Sequence, residues 1–162
     1  MNDNDRSPVD YDLLGRQLES LMEGCTHALP VLANAAALLW QELPGLNWAG
    51  FYLRKDRCLL LGPFQGKPAC TVIAFGRGVC GTAAARTETQ RVPDVHAFPG
   101  HIACDSASNS EIVVPLVAED GHLLGVMDLD SPLTDRFSGD DQRGLESFAR
   151  ILASADWSGL AL

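Results

Sequence analysis

At 162 residues the chain fits one domain, long enough to bury roughly 70% of the surface its unfolded form exposes, so no metal or disulfide is needed to hold it together. Its formal charge of −9 repels nucleic acid and anionic membrane alike, leaving small molecules and proteins as partners. No run reaches the roughly 18 apolar residues of a membrane helix, and the start, Met1 to Pro8, has no basic-then-apolar pattern, so a cytoplasmic protein is expected.

Residues 1–8 are polar and acidic and read as a disordered tail. From Asp10, the positions Leu14, Leu18, Leu21, Met22 and Cys25 recur at three- and four-residue steps and predict an amphipathic helix. Gly24 and Pro30 interrupt it, and Val31, Ala35, Leu38 and Leu39 restart the pattern until Pro44-Gly45, giving a second helix. Asn47–Leu53 predicts a strand with Trp48, Gly50 and Tyr52 on one face and Ala49, Phe51 and Leu53 on the other. Both faces carry large apolar groups, so both are covered. Lys55-Asp56-Arg57 turns into a second strand over Cys58–Phe64, and Thr71–Phe75 forms a third.

Gly76-Arg77-Gly78-Val79-Cys80-Gly81 matches a Gly-x-Gly-x-x-Gly pattern before a helix over Thr82–Thr87. It lacks the parallel strand and terminal acid of a dinucleotide site, because Gln90–Val92 runs straight into Pro93-Asp94. Amide donors at this helix start are still suited to a small anion such as a carboxylate. After a loop over 93–110, Glu111–Ala118 and His122–Asp130 predict a hairpin through Asp120-Gly121 at the centre of the sheet. Ser138, with Asp141 three residues on, starts a closing helix that buries Leu145, Phe148, Ala149 and Leu152. The single domain spans 9–155, and 156–162 is left as a C-terminal tail.

The five cysteines, Cys25, Cys58, Cys70, Cys80 and Cys104, sit in a reducing compartment by this reading, where a disulfide is usually catalytic or redox-sensing, and their odd number fits poorly with a complete framework. Cys104 lies among Asp105, Ser106, Ser108, Asn109 and Ser110, a loop-forming setting unlike that of a core cysteine and suited to a reactive thiol. Asp128 and Asp130 project from one face of a strand, where they either cap the turn at Ser131-Pro132 or hold a cation such as a substrate ammonium. Glu111, near a thiol and two aspartates, is a candidate general acid. A structural zinc is not supported, since no Cys-x-x-Cys pair occurs and the four histidines show no paired spacing. Cysteine hydrolysis through Cys104 with His96 or His101 is opposed by the acids, which would repel an anionic tetrahedral intermediate.

Taken together, Asn47-Trp48-Ala49-Gly50-Phe51-Tyr52, Leu61-Gly62-Pro63-Phe64-Gln65-Gly66-Lys67 with Ala69-Cys70, the glycine turn through Ala83, Asp94-Val95-His96 with Gly100-His101-Ile102-Ala103-Cys104-Asp105, Ser108–Val113 and Asp128–Pro132 resemble the free methionine-(R)-sulfoxide reductases, enzymes on the GAF fold. The resemblance covers nearly the whole chain. It implies an α+β fold: a six-stranded antiparallel sheet, helices on one side and a loop-covered ligand pocket on the other. It implies Cys104 as catalytic thiol, Cys70 as its disulfide partner, and Cys80 as a further cysteine of the redox site. Glu111, Asp128 and Asp130 would bind and polarise the sulfoxide between aromatic walls Trp48 and Tyr52. No metal or cofactor is implied, thioredoxin being the reductant, and the family's common pairing into homodimers would use the apolar first helices. The chemistry is coherent, because a sulfoxide whose oxygen is protonated has an electrophilic sulfur, and a sulfenic acid on Cys104 then condenses with Cys70. Carboxylates near a thiol raise its pKa, which a proton passed from thiol to sulfoxide oxygen would offset. The alternative function is a GAF module that senses a small ligand or redox state and acts on a partner protein.

Overall fold

The computed structural model describes residues 8–101 and 106–160. Strands β1 (Trp48–Lys55), β2 (Cys58–Gly66), β3 (Val72–Ala74), β4 (Gln90–Val92), β5 (Ser110–Val117) and β6 (Leu123–Ser131) form one antiparallel sheet in the order β3-β2-β1-β6-β5-β4. The expected β5–β6 hairpin forms, but the centre belongs to β1 and β6, which pair from Trp48 opposite Asp130 to Leu53 opposite Gly125. No described helix is long and apolar enough to cross a membrane.

The alternation read along β1 sorts two cores. Ala49, Phe51 and Leu53 join Ile112, Val114, Met127 and Leu129 on one face, covered by helices α1 (Tyr11–Met22), α2 (Ala28–Glu42) and α4 (Gly139–Ala153). Trp48 and Tyr52 join Val113 and Val126 on the other, where helix α3 (Gly78–Arg86) packs through Val79, Cys80, Ala83 and Ala84. The expectation of helices on one side thus holds for three of the four described α-helices, and α3 stands on the pocket face.

Local chemistry explains the helix ends. The Asp10 carboxylate accepts from the Leu13 amide at 2.8 Å to start α1, and Ser138 and Asp141 close a reciprocal capping box on α4. Helix α2 starts at Ala28, before Pro30, because a proline in the first turn forfeits only an amide that has no partner within the helix. Cys25, assigned by periodicity to the apolar face of α1, lies past the α1 C-cap Glu23 and is exposed. Helix α3 begins inside the glycine turn, four residues before the predicted Thr82. There the Gly76 amide donates to the Gly81 carbonyl at 2.7 Å, and a Cβ on Gly81 would sit 2.4 Å from the Ala74 carbonyl oxygen. These glycines serve close backbone packing. Beyond Ala155, the Ala28 amide donates to the Asp156 carbonyl and the Asp156 amide to that of Thr26, while Trp157 and Leu160 pack on the helical core.

Candidate functional site

Strand alternation and register assemble the site on the α3 face. Glu111 stands opposite Asp130 across the β5–β6 ladder, and Asp128 stands opposite Val113 two places on, so all three carboxyl groups share a face. On β1, Trp48 pairs with Asp130 and Gly50 with Asp128, which sets the aromatic wall beside the acids. The Trp48 ring stacks on Tyr52 at 5.8 Å between centroids and on Phe64 at 5.3 Å. A Cβ on Gly50 would lie 2.4 Å from the Phe64 Cβ, so glycine is what lets these rings meet. The Trp48 indole donates to the Lys67 carbonyl at 3.1 Å and ties down the loop after β2.

Helix α3 lowers Cys80 onto this surface. Its Sγ lies 3.9 Å from Glu111 Oε1, and the Cys80, Glu111 and Asp128 ligand atoms all fall within 4.8 Å of one another. Each of the three residues is buried, exposed by 5%, 6% and 6% respectively. Asp128 Oδ1 is buried without a hydrogen-bond partner. From the mouth, His101 Nε2 approaches Glu111 Oε2 to 3.7 Å. The cavity these groups border, with Trp48, Tyr52, Lys67, Arg77 and Ser108 among its lining, measures about 40 Å³. That volume admits a few waters. Lining residues Lys67 and Pro68 are exposed.

Burial governs the protonation of the cluster. Loss of water, reinforced by the charges of Asp128 and Asp130, pushes Glu111 well above the ordinary carboxylate range. Burial also lifts Asp128 to about 6, against hydrogen bonds from Cys80 and Glu111 that pull it down. The Cys80 thiol is raised well above its usual value by burial and by the Asp128 and Glu111 charges, so it stands protonated. The Tyr52 phenol is raised by burial. His101 is lowered by burial and by His96, so a neutral imidazole faces a neutral Glu111. The arrangement holds a carboxylic proton ready for an oxygen atom placed in the cavity.

Six of the eight residues singled out from the sequence, Trp48, Tyr52, Cys80, Glu111, Asp128 and Asp130, therefore converge on one cavity. Cys70 follows lining residue Ala69 and is disulfide-bonded, while Cys25, Cys58 and Cys80 are free thiols. Cys104 lies outside the described residues; the chain on either side of that gap reaches the cavity at His101 and Ser108. Cys58 is half-buried and its thiol donates to the Lys55 carbonyl, away from the site. The sequence marks His101 as a candidate base for Cys104 and as one of four histidines without paired metal spacing, and assigns no role to Lys67, Arg77 or Ser108. Arg77 carries a usable signal, since it sits at the N-cap of the helix start proposed for a carboxylate.

The GAF domain model matches residues 18–155. The chain is 52% identical over 151 residues to the free methionine-R-sulfoxide reductase of Escherichia coli (strain K12), covering 91% of each protein. It is 48% identical over 141 residues to the protein of the same name in Saccharomyces cerevisiae, covering 83% of this chain and 78% of the relative. The X-ray structure of free methionine-R-sulfoxide reductase from Neisseria meningitidis in complex with its substrate is 44% identical and superposes with a TM-score of 0.85 over 94% of each chain.

Proposed function

Since the chain belongs to the GAF-domain family of free methionine-R-sulfoxide reductases, we propose that it is an oxidoreductase that reduces free L-methionine-(R)-sulfoxide to L-methionine. The observation that carries this reading is the buried Glu111–Asp128–Cys80 cluster, whose carboxylic proton faces a cavity walled by Trp48 and Tyr52. An acid held protonated by burial is suited to hydrogen-bond a sulfoxide oxygen, which draws electron density from sulfur and opens it to a thiol.

In the proposed reaction Cys104 sulfur attacks the sulfoxide. The S–O oxygen and the thiol proton end on Cys104 as a sulfenic acid, and methionine leaves two electrons more reduced. The Cys70 thiol then attacks the sulfenic sulfur, forms a Cys70–Cys104 disulfide and releases water. The disulfide-bonded state of Cys70 supports its place in that step. A dithiol of the thioredoxin class resets the pair by exchange, through a mixed disulfide. Cys80, protonated and buried, serves as a hydrogen-bond donor within the cluster in this state.

A free amino acid also presents an ammonium and a carboxylate. Asp130, on the cavity wall opposite Glu111, suits the first; Arg77 with the α3 amide donors suits the second. Exposed Leu13, Leu21, Leu29 and Trp40 on or beside the outer faces of α1 and α2 support a homodimer.

The test is to incubate the thiol-reduced protein with the separate R and S sulfoxides of free methionine and to measure methionine. Formation from the R form alone is expected. Equal consumption of both forms, or none of either, would reject the proposal.

A further inference from the structure

The cluster of Cys80, Glu111 and Asp128 has the composition and dimensions of a metal site that no spacing in the sequence announces, because its members come from α3, β5 and β6. One thiol sulfur and two carboxylate oxygens lie within 4.8 Å of one another, and Cys80 Sγ to Glu111 Oε1 is already 3.9 Å. Ligand atoms around a tetrahedral zinc ion sit about 3.3 to 3.8 Å apart, given arms of about 2.0 to 2.3 Å. No edge has to contract by more than about 1.5 Å, within reach of side-chain rotations. Independently of that geometry, Asp128 Oδ1 is buried with no hydrogen-bond partner in a residue only 6% exposed. A buried carboxylate oxygen without a partner is costly, and a cation relieves it. His101 Nε2, 3.7 Å from Glu111 Oε2 but outside the group that lies within 4.8 Å, has to swing inward to serve as a fourth ligand.

We propose that Cys80, Glu111 and Asp128, with His101 as fourth ligand, bind one divalent ion of the zinc class. Softness selects the ion: a thiolate with an imidazole favours zinc or cadmium, whereas magnesium and calcium demand oxygen shells that this site does not supply. The cavity of about 40 Å³ admits an ion with a few waters. A bound ion displaces the Cys80 thiol proton, since a coordinated thiol is deprotonated by the metal's own charge. Where the reductase reading above holds, such an ion blocks the acids that polarise the sulfoxide, so zinc acts as a competitive inhibitor. The binding itself does not rest on that reading.

Cadmium is titrated into the metal-free protein with the Cys70 disulfide intact, following the ultraviolet thiolate-to-cadmium charge-transfer band. One equivalent saturating the band is expected, with zinc but not magnesium displacing it. The band survives in the double variant Cys25→Ser/Cys58→Ser and disappears in Cys80→Ser. Glu111→Gln and Asp128→Asn each weaken binding at least about tenfold. Circular dichroism checks the fold of every variant, and the two carboxyl variants carry the test should Cys80→Ser unfold. No saturable band, a band that survives Cys80→Ser, or affinity unchanged in both carboxyl variants would overturn the site. Since the readout is absorbance, a protein inactive on sulfoxides that binds cadmium in this pattern upholds the site while failing the functional proposal.

Discussion

Replacing Asp128 with asparagine is expected to stabilise the protein at neutral pH and to do nothing for it in acid. Asp128 is buried beside Glu111 and Cys80, and burial lifts its pKa from 3.8 to about 6. The folded state therefore binds this proton more tightly than the unfolded chain. Relative to a neutral side chain, the wild type carries no penalty below about 3.8, loses stability as pH rises toward about 6, and stays at that reduced level above it. At about 1.36 kcal/mol per unit, the full penalty is about 3 kcal/mol. Asparagine keeps the shape but not the charge, and forfeits some hydrogen bonding with Cys80 and Glu111, which returns about 1 kcal/mol. The net gain at pH 8 is then about 2 kcal/mol over wild type, vanishing or reversing near pH 4. Urea unfolding of both proteins at a series of pH values, with the linear slope checked for constancy, measures the difference directly. A difference that does not change with pH, or one that favours wild type increasingly as pH rises, would refute the assignment of Asp128 as a carboxyl held up by burial.

Further outcomes follow from the same structure. Because Glu111 is raised and its acid form is the one proposed to act, sulfoxide turnover should hold at low pH and fall as pH climbs through its elevated pKa; Glu111→Gln should lower the rate and flatten that limb in a pH–rate profile. Gly50→Ala puts a Cβ 2.4 Å from the Phe64 Cβ and 2.8 Å from Trp48 Cη2, so it should cost about 1 to 3 kcal/mol and shift tryptophan fluorescence, read by thermal melts and emission spectra. Ser138→Ala removes the α4 capping box far from the cavity and should lower stability by about 1 kcal/mol in urea titrations with turnover unchanged.

What the sequence made legible is what local periodicity encodes. The two faces of β1, the buried stripe of α4 and its Ser138–Asp141 cap could be read from residue spacing because pleat and helix repeat the same geometry at every turn. The start of α2 ahead of Pro30 escaped because the Ala28 amide is satisfied by the distant Asp156 carbonyl, and that of α3 because Gly76 and Gly78 read as turn residues rather than as the opening of a helix. Packing after Ala155 escaped for the same reason, as the backbone bonds joining Asp156 to Thr26 and Ala28 link segments about 130 residues apart. At the site, Asp128 and Asp130 could be paired from strand alternation alone. Their meeting with Glu111 rests on β5–β6 register, and the approach of Cys80 on helix packing across the sheet. His101 met Glu111 with no motif to announce it, because the contact joins a loop end to a strand start.

In the proposed reaction the Cys104 thiol, three residues past His101, takes the oxygen of a sulfoxide and passes the oxidation to Cys70. A single turnover of the fully reduced protein with free L-methionine-(R)-sulfoxide, with methionine quantified and disulfides mapped by mass spectrometry, tests it most directly. One methionine per chain, the loss of two thiols and a new disulfide between Cys70 and Cys104 are expected. Methionine formed at the same yield by Cys104→Ser, or a turnover that leaves both thiols reduced, would contradict it.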